Sequence, residues 1–205
     1  MTAAARYFNK RPIAVFFVLS EIFIMKENDV NILKRRCDES LKKLKKISIE
    51  LIGECEQIIS VCNDRKNMFG SSKDEKARAE TLDLCVKKLK AINALSQSAL
   101  DSVLTIYTSV MKFNELGSTP HSTKTTGYSS EDIISYSYFF TLANKIGNVF
   151  EDLFESDLPK LLNGIVEGLD LDNNGTRINM NSVIANTKSI TNSVSKATNY
   201  YLKEV

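Results

Sequence analysis

The chain contains no tryptophan, one histidine, three prolines and eight glycines in 205 residues. Turns are rich in glycine and proline, so this scarcity disfavours an all-β protein and favours helices. The single histidine, His121, has no adjacent acidic residue. The sequence also lacks a glycine-rich phosphate loop, a nucleophile elbow and a zinc motif. We therefore expect no enzyme activity, no catalytic residue and no cofactor.

An excess of charge of one sign is also missing. The chain has 27 basic and 25 acidic residues and a formal net charge of +2, so no global field concentrates nucleic acid, and we expect no nucleic-acid partner. One basic cluster lies on a predicted helix without interleaved aromatic residues, which is typical of a solvated helix surface, with a phosphate or anionic-lipid contact as the alternative. Its members are Lys34, Arg35, Arg36, Lys42, Lys43, Lys45 and Lys46.

No apolar run approaches the ~20 residues that cross a bilayer. The most apolar stretch, residues 13–19, follows three basic residues and is soon interrupted by Glu21. We favour the interpretation that residues 1–25 form a secretory signal. The protein would then be secreted. A mitochondrial presequence and a true start at Met25, which would leave a cytoplasmic protein, are the alternatives.

Apolar residues instead recur in steps of three and four along two long stretches, which predicts amphipathic helices over residues 27–65 and around 82–113. Asn67 and Gly70 supply turn chemistry between them. The two stretches therefore predict an antiparallel, coiled-coil-like hairpin. The first stripe comprises Val30, Leu33, Cys37, Leu41, Leu44, Ile47, Leu51, Cys55, Ile58 and Cys62, and the second comprises Leu82, Cys85, Leu89, Ile92, Ser96, Ala99, Val103, Ile106, Val110 and Phe113.

The hairpin makes a prediction about the four cysteines. With the turn centred near Gly70, residues whose numbers sum to about 140 lie opposite each other. Cys55 and Cys85 meet this condition and could form a disulfide in an oxidising compartment. The alternative is that all four cysteines are small core residues, and no cysteine–histidine spacing suits a metal.

Three further helices are predicted after a polar, flexible loop at residues 116–129. Their expected ranges are 130–155, 158–168 and 181–202. The third helix is apolar around most of its circumference, so we expect it to be the most enclosed part of the core, with an apolar ligand pocket as the alternative. Its apolar residues include Ile133, Ile134, Tyr136, Tyr138, Phe139, Phe140 and Leu142.

Two residues are predicted to interrupt helices. Gly53 lies within the first stripe, where glycine costs about 1 kcal/mol relative to alanine, and indicates a bend or a close backbone approach. Pro159 is typical of the first turn of a new helix, with Ser156 or Asp157 as its cap.

Residues 170–175 match the start of a calcium-binding EF-hand loop, with Asp170, Asp172 and Asn174 as candidate metal ligands. A calcium loop requires an acidic residue at its twelfth position, but Asn181 occupies that position here. We therefore favour an Asn- and Gly-rich turn over a calcium site. Asn174 also begins a glycosylation sequon, Asn174-Gly175-Thr176, which is used only if the protein is secreted.

Together these patterns predict an all-α protein, in which an antiparallel hairpin of long helices packs with two or three others into a bundle of about five helices, forming one domain over residues 26–205. We expect it to act by binding another protein through a helix face. The alternative is a secreted helical protein that perturbs membranes or carries an apolar ligand, suggested by the glycine-punctuated segment 145–169 and the aromatic cluster 136–140. The acidic polar face of 145–169 does not favour contact with anionic lipid.

Overall fold

The computed structural model describes residues 27–65, 75–118, 130–169, 179–203 and 205, and no strand occurs among them. The predicted targeting segment 1–25, the calcium-like loop 170–175 and His121 lie outside these residues. The described part is an all-α bundle, as predicted. Its elements are α1 (Glu27–Arg65), α2 (Glu75–Ser118), α3 (Ser130–Glu151), a π-helical segment (Asp152–Asp157), α4 (Leu158–Leu169) and α5 (Met180–Tyr201).

The two long helices, α1 and α2, pack against each other more extensively than any other pair. Every residue of the first predicted stripe is buried, and only Leu82 and Leu89 of the second are partly exposed. The buried hydroxyl of Ser96 in the second stripe donates to the carbonyl of Ile92 at 2.8 Å. The apolar seam therefore holds the hairpin together, as its spacing predicts.

The register of this hairpin differs from the predicted one. Cys62 hydrogen-bonds Cys85 near the turn, and Cys37 hydrogen-bonds Ser109 further along the same interface. The numbers in each pair sum to about 147, rather than about 140, which corresponds to two helical turns of displacement. The spacing of a stripe fixes which face is buried, whereas the register also depends on the turn, and this is why the prediction failed.

Helix α5 packs along α1, and α4 packs on α5. Asn179 starts α5, because its side chain accepts a hydrogen bond from the Ser182 amide at 3.1 Å. The Asn179 amide donates to the carbonyl of Gly168 at 2.8 Å. Although the exposed face of α5 is made of mediocre helix formers, its buried stripe anchors it in the core. That stripe includes Val183, Thr187, Ile190, Val194 and Ala197.

The helix predicted to begin at residue 158 is confirmed, because α4 begins at Leu158. The junction between α3 and α4 is nevertheless helical throughout, so the predicted break before it is wrong. Neither Ser156 nor Asp157 caps a new helix, because both lie in the π-helical segment, and the amide of Leu158 donates to the carbonyl of Leu153. Pro159 has no amide hydrogen and crowds the carbonyl four residues earlier, and the wider π turn accommodates both effects.

Gly53 marks no close backbone approach, because a Cβ built there meets nothing within 4 Å. Gly168 does mark one, since a Cβ there would lie 3.0 Å from Cγ2 of Val183 and 3.3 Å from the carbonyl oxygen of Asn179. The predicted start of the loop at residue 116 is also wrong, because α2 continues to Ser118.

Candidate functional site

Helix α3 is not the most enclosed helix that its composition predicts. Phe139 is buried at 1% exposure and stacks on Phe113 of α2, with ring centroids 4.3 Å apart. Ile134 and Phe140, by contrast, are 61% and 41% exposed. One side of α3 is therefore anchored on α2, while apolar side chains on other sides remain open. The sequence does not predict this difference, because apolar residues occur around most of the circumference of α3 and therefore do not indicate which face is buried.

A groove of about 590 Å³ runs beside α3. Its other walls are α1 and the C-terminal end of α5, with Tyr201 and Val205. Its volume lies in the range of ordinary ligand-binding clefts. Buried apolar side chains form part of its lining, while Ile134, Ser137 and Thr141 are exposed on α3. The lining residues are Leu41, Ile134, Ser137, Tyr138, Thr141, Leu142, Lys145, Ile146, Tyr201 and Val205.

Two polar contacts join the elements around the groove. The Tyr138 hydroxyl donates to Oδ1 of Asp38 on α1 at 2.6 Å, and burial together with this hydrogen bond raises the pKa of Tyr138. Lys45 Nζ on α1 donates to the main-chain oxygen of Val205. These contacts tie α3 and the segment after α5 to the same helix, so the groove has defined walls rather than being a gap between loosely held helices.

Lys145 is the charged side chain among the described residues that line the groove. It is exposed, as are Ser137 and Thr141 on the same helix. The groove thus combines an apolar lining with hydroxyls and one cation. This composition suits an apolar surface that carries a negative charge at its edge.

The end of α5 adds aromatic surface next to the groove. Tyr201 lines the groove and meets the buried ring of Phe150 edge-on at 6.2 Å. Its neighbour Tyr200 is 79% exposed, with ring centroids 4.8 Å apart. Exposed tyrosines are enriched at protein interfaces, because they offer a large apolar ring with a polar tip.

From the sequence, an apolar pocket at α3 was only the alternative to a core position. The other walls of the groove were missed because they come from distant positions in the chain, such as Leu41 on α1. One signal was present in the sequence: Ile134, Ser137, Tyr138, Thr141 and Lys145 follow helical spacing. That face is mixed in polarity, so a search for apolar stripes does not detect it.

The four cysteines are free thiols and all are buried, which fits the alternative that they are small core residues. Cys55 instead hydrogen-bonds Thr191 of α5, and burial raises its pKa to about 12. Burial likewise raises the pKa of Cys37 to about 11. The displaced register places Cys62, rather than Cys55, opposite Cys85.

The thiols of Cys62 and Cys85 affect each other. Their hydrogen bond raises the pKa of Cys62, with burial acting in the same direction. The same hydrogen bond lowers the pKa of Cys85, against the effect of burial. Cys37 and Cys55 have hydroxyl neighbours instead.

A second polar cluster lies where α3 meets the π-helical segment. The Tyr107 hydroxyl on α2 donates to Oε2 of Glu151 at 3.1 Å. Burial raises the pKa of Glu151, the hydrogen bond lowers it, and the neighbouring Glu155 and Asp152 raise it further. The hydrogen bond joins α2 to the last residue of α3.

The candidate calcium ligands Asp170, Asp172 and Asn174, and with Asn174 the glycosylation sequon, lie outside the described residues. Within the described residues, no cluster of three or more histidine, cysteine or acidic side chains could hold a metal ion. No helix in the same part of the chain has the length and apolar character to cross a membrane.

Comparison of the chain with protein-family models, with curated proteins and with solved structures finds no match. The function is therefore argued from the groove, the side chains around it and the packing of the bundle.

Proposed function

We propose that this protein is a non-enzymatic binding module that takes up an amphipathic helix of a partner protein in the groove beside α3. The observation that carries the proposal is the groove of about 590 Å³, which opens beside the 61%-exposed side chain of Ile134. An exposed apolar residue beside a formed groove is typical of helix-in-groove recognition.

The lining supplies the apolar contacts that such a partner needs. Leu41 on α1 and Ile146 on α3 are 7% and 2% exposed, and both belong to the hydrophobic core. Because core packing fixes these side chains, binding would cost little ordering of the groove itself. Tyr201 extends the apolar lining toward the end of α5.

The charge of the groove narrows the chemistry of the partner. Lys145 is the charged residue of the described lining, while Asp38 on α1 accepts a hydrogen bond from the Tyr138 hydroxyl. A partner with leucine- or phenylalanine-like side chains on one face and a carboxylate at its border would match both features. A basic border would meet Lys145 unfavourably.

The direct test places an arginine inside the groove. Thr141→Arg should weaken helix binding at least tenfold, because the new side chain occupies the space that the partner needs. Displayed libraries of amphipathic helical peptides, one with acidic and one with basic flanks, provide the probes. We expect binders from the acidic library, and we expect titration to show that Thr141→Arg and Lys145→Glu weaken them.

Thr108→Arg is the matched control, because Thr108 is also an exposed threonine within a helix, and its hydroxyl donates to the carbonyl of Leu104 on its own helix at 2.8 Å. This variant should bind like the unmodified protein. The proposal is wrong if neither library yields a binder, or if the selected peptides bind the Thr141→Arg protein with unchanged affinity.

A small apolar ligand is the second candidate, because the same groove volume fits one. An apolar fluorescent dye separates the two candidates. Saturable dye binding that Thr141→Arg abolishes, without any peptide binder, would favour ligand carriage over protein binding.

The membrane alternative requires α4 to leave the bundle. Leu158, Ile165 and Leu169 of this helix are buried, and Gly168 contacts α5. Only Val166 among its large apolar residues is strongly exposed, at 54%. Leakage of dye from liposomes of zwitterionic lipid, with which the acidic face of this segment is compatible, would support this alternative, and intact liposomes would oppose it.

A further inference from the structure

The hairpin brings two buried thiols together near its turn. Cys62 lies in the last turn of α1, three residues before Arg65, and Cys85 faces it from α2. Both side chains have 0% exposure and are hydrogen-bonded to each other. A disulfide brings its sulfur atoms to about 2 Å, so thiols already in contact need only a modest approach.

We propose that Cys62 and Cys85 form a reversible disulfide that staples the end of α1 to α2 when the protein meets a low-molecular-weight disulfide. This site follows from the packing of α1 on α2 and is independent of the proposed groove function. It differs from the Cys55–Cys85 pairing that the sequence suggests.

Oxidised glutathione is the oxidant in this thiol–disulfide exchange. The Cys85 thiol loses its proton, and the thiolate attacks one glutathione sulfur, forming a mixed disulfide and releasing one glutathione thiolate. Cys62 then gives its proton to the released glutathione thiolate and attacks the sulfur of Cys85, forming the protein disulfide and releasing the second glutathione as a thiolate, which takes up the proton that Cys85 lost. Two protein thiols are oxidised, and one glutathione disulfide is reduced to two thiols.

Because its pKa is lowered, Cys85 loses its proton more readily than Cys62 and is the nucleophile of the pair. Access requires brief opening of the last turn of α1, where Cys62 lies. Helix ends open at a lower free energy than the rest of a core. Oxidation should therefore be slow in the native protein and faster in mild denaturant.

The test uses the full chain, incubated with oxidised glutathione at pH 8 and then alkylated in denaturant. We expect two of the four thiols to be lost. A tryptic digest without reductant should contain peptide 47–65 linked to peptide 79–87. The thermal midpoint should rise by about 10 °C, since the bridge closes a loop of more than 20 residues.

Cys55→Ser and Cys62→Ser are a matched pair, because both cysteines are fully buried and lie on the same tryptic peptide. The link should persist in Cys55→Ser and disappear in Cys62→Ser. Should either variant fail to fold, fragment ions of the unmodified linked peptide still show which cysteine is bridged. Retention of four thiols, a lasting glutathione adduct without a bridge, or a link through Cys55 would overturn the proposal.

Discussion

At the scale of single residues, adjacent positions on one helix have very different environments. Phe139 is 1% exposed and stacks on Phe113, whereas Phe140 is 41% exposed and stacks at 6.1 Å on Tyr136 of its own helix. Sequence alone treats these two phenylalanines alike. Their difference decides which side of α3 is anchored and which sides remain accessible.

Phe139→Ala should lower the free energy of unfolding by about 3–5 kcal/mol, because it removes a buried ring and leaves a cavity. Phe140→Ala is the natural control and should change it by less than about 1 kcal/mol. Urea denaturation followed by circular dichroism measures both values. Similar losses for the two variants would contradict the described orientation of α3.

At the scale of helices, glycines mark different situations. Gly53 is surrounded by open space, so its only effect on α1 is the conformational freedom of glycine. Gly168 lies where α4 passes close to the start of α5, and a side chain there would press on Val183 and the Asn179 backbone. The sequence shows both residues within amphipathic helices, and only the packing distinguishes them.

Gly53→Ala should therefore raise the free energy of unfolding by about 0.5–1 kcal/mol. Gly168→Ala should lower it by about 1–3 kcal/mol, because the added methyl group overpacks the α4–α5 contact. Urea midpoints of the two variants test the difference in sign. A destabilising Gly53→Ala would mean that a neighbour approaches α1 at this point.

At the scale of the whole molecule, the buried thiols make the free energy of unfolding change with pH in the alkaline range. The unfolded chain loses the thiol protons of Cys37 and Cys55 near the ordinary pKa of 9.0, whereas the folded protein retains them to about 11 and about 12. Because these folded-state pKa values are raised, their stabilising contribution is complete below pH 9 and is lost as pH rises through them.

We expect the free energy of unfolding to fall between pH 9 and 11 by about 1.4 kcal/mol per pH unit for each such thiol. Urea titrations in reducing buffer at pH 8, 9, 10 and 11 measure the slope. The double variant Cys37→Ala/Cys55→Ala should be less stable at pH 8 but show a shallower slope. An unchanged slope in this variant would exclude the two thiols as the cause.

By itself the sequence determined the helical class, the bounds of α1 and the buried stripes of the hairpin, because helical periodicity directly records which face meets the core. It did not determine the register, since a stripe repeated every three or four residues packs almost equally well after a shift of two turns. Only the tertiary structure placed Cys62 against Cys85, and joined α1, α3 and the end of α5 around a groove. Both features depend on contacts between residues far apart in the chain, which local spacing does not encode.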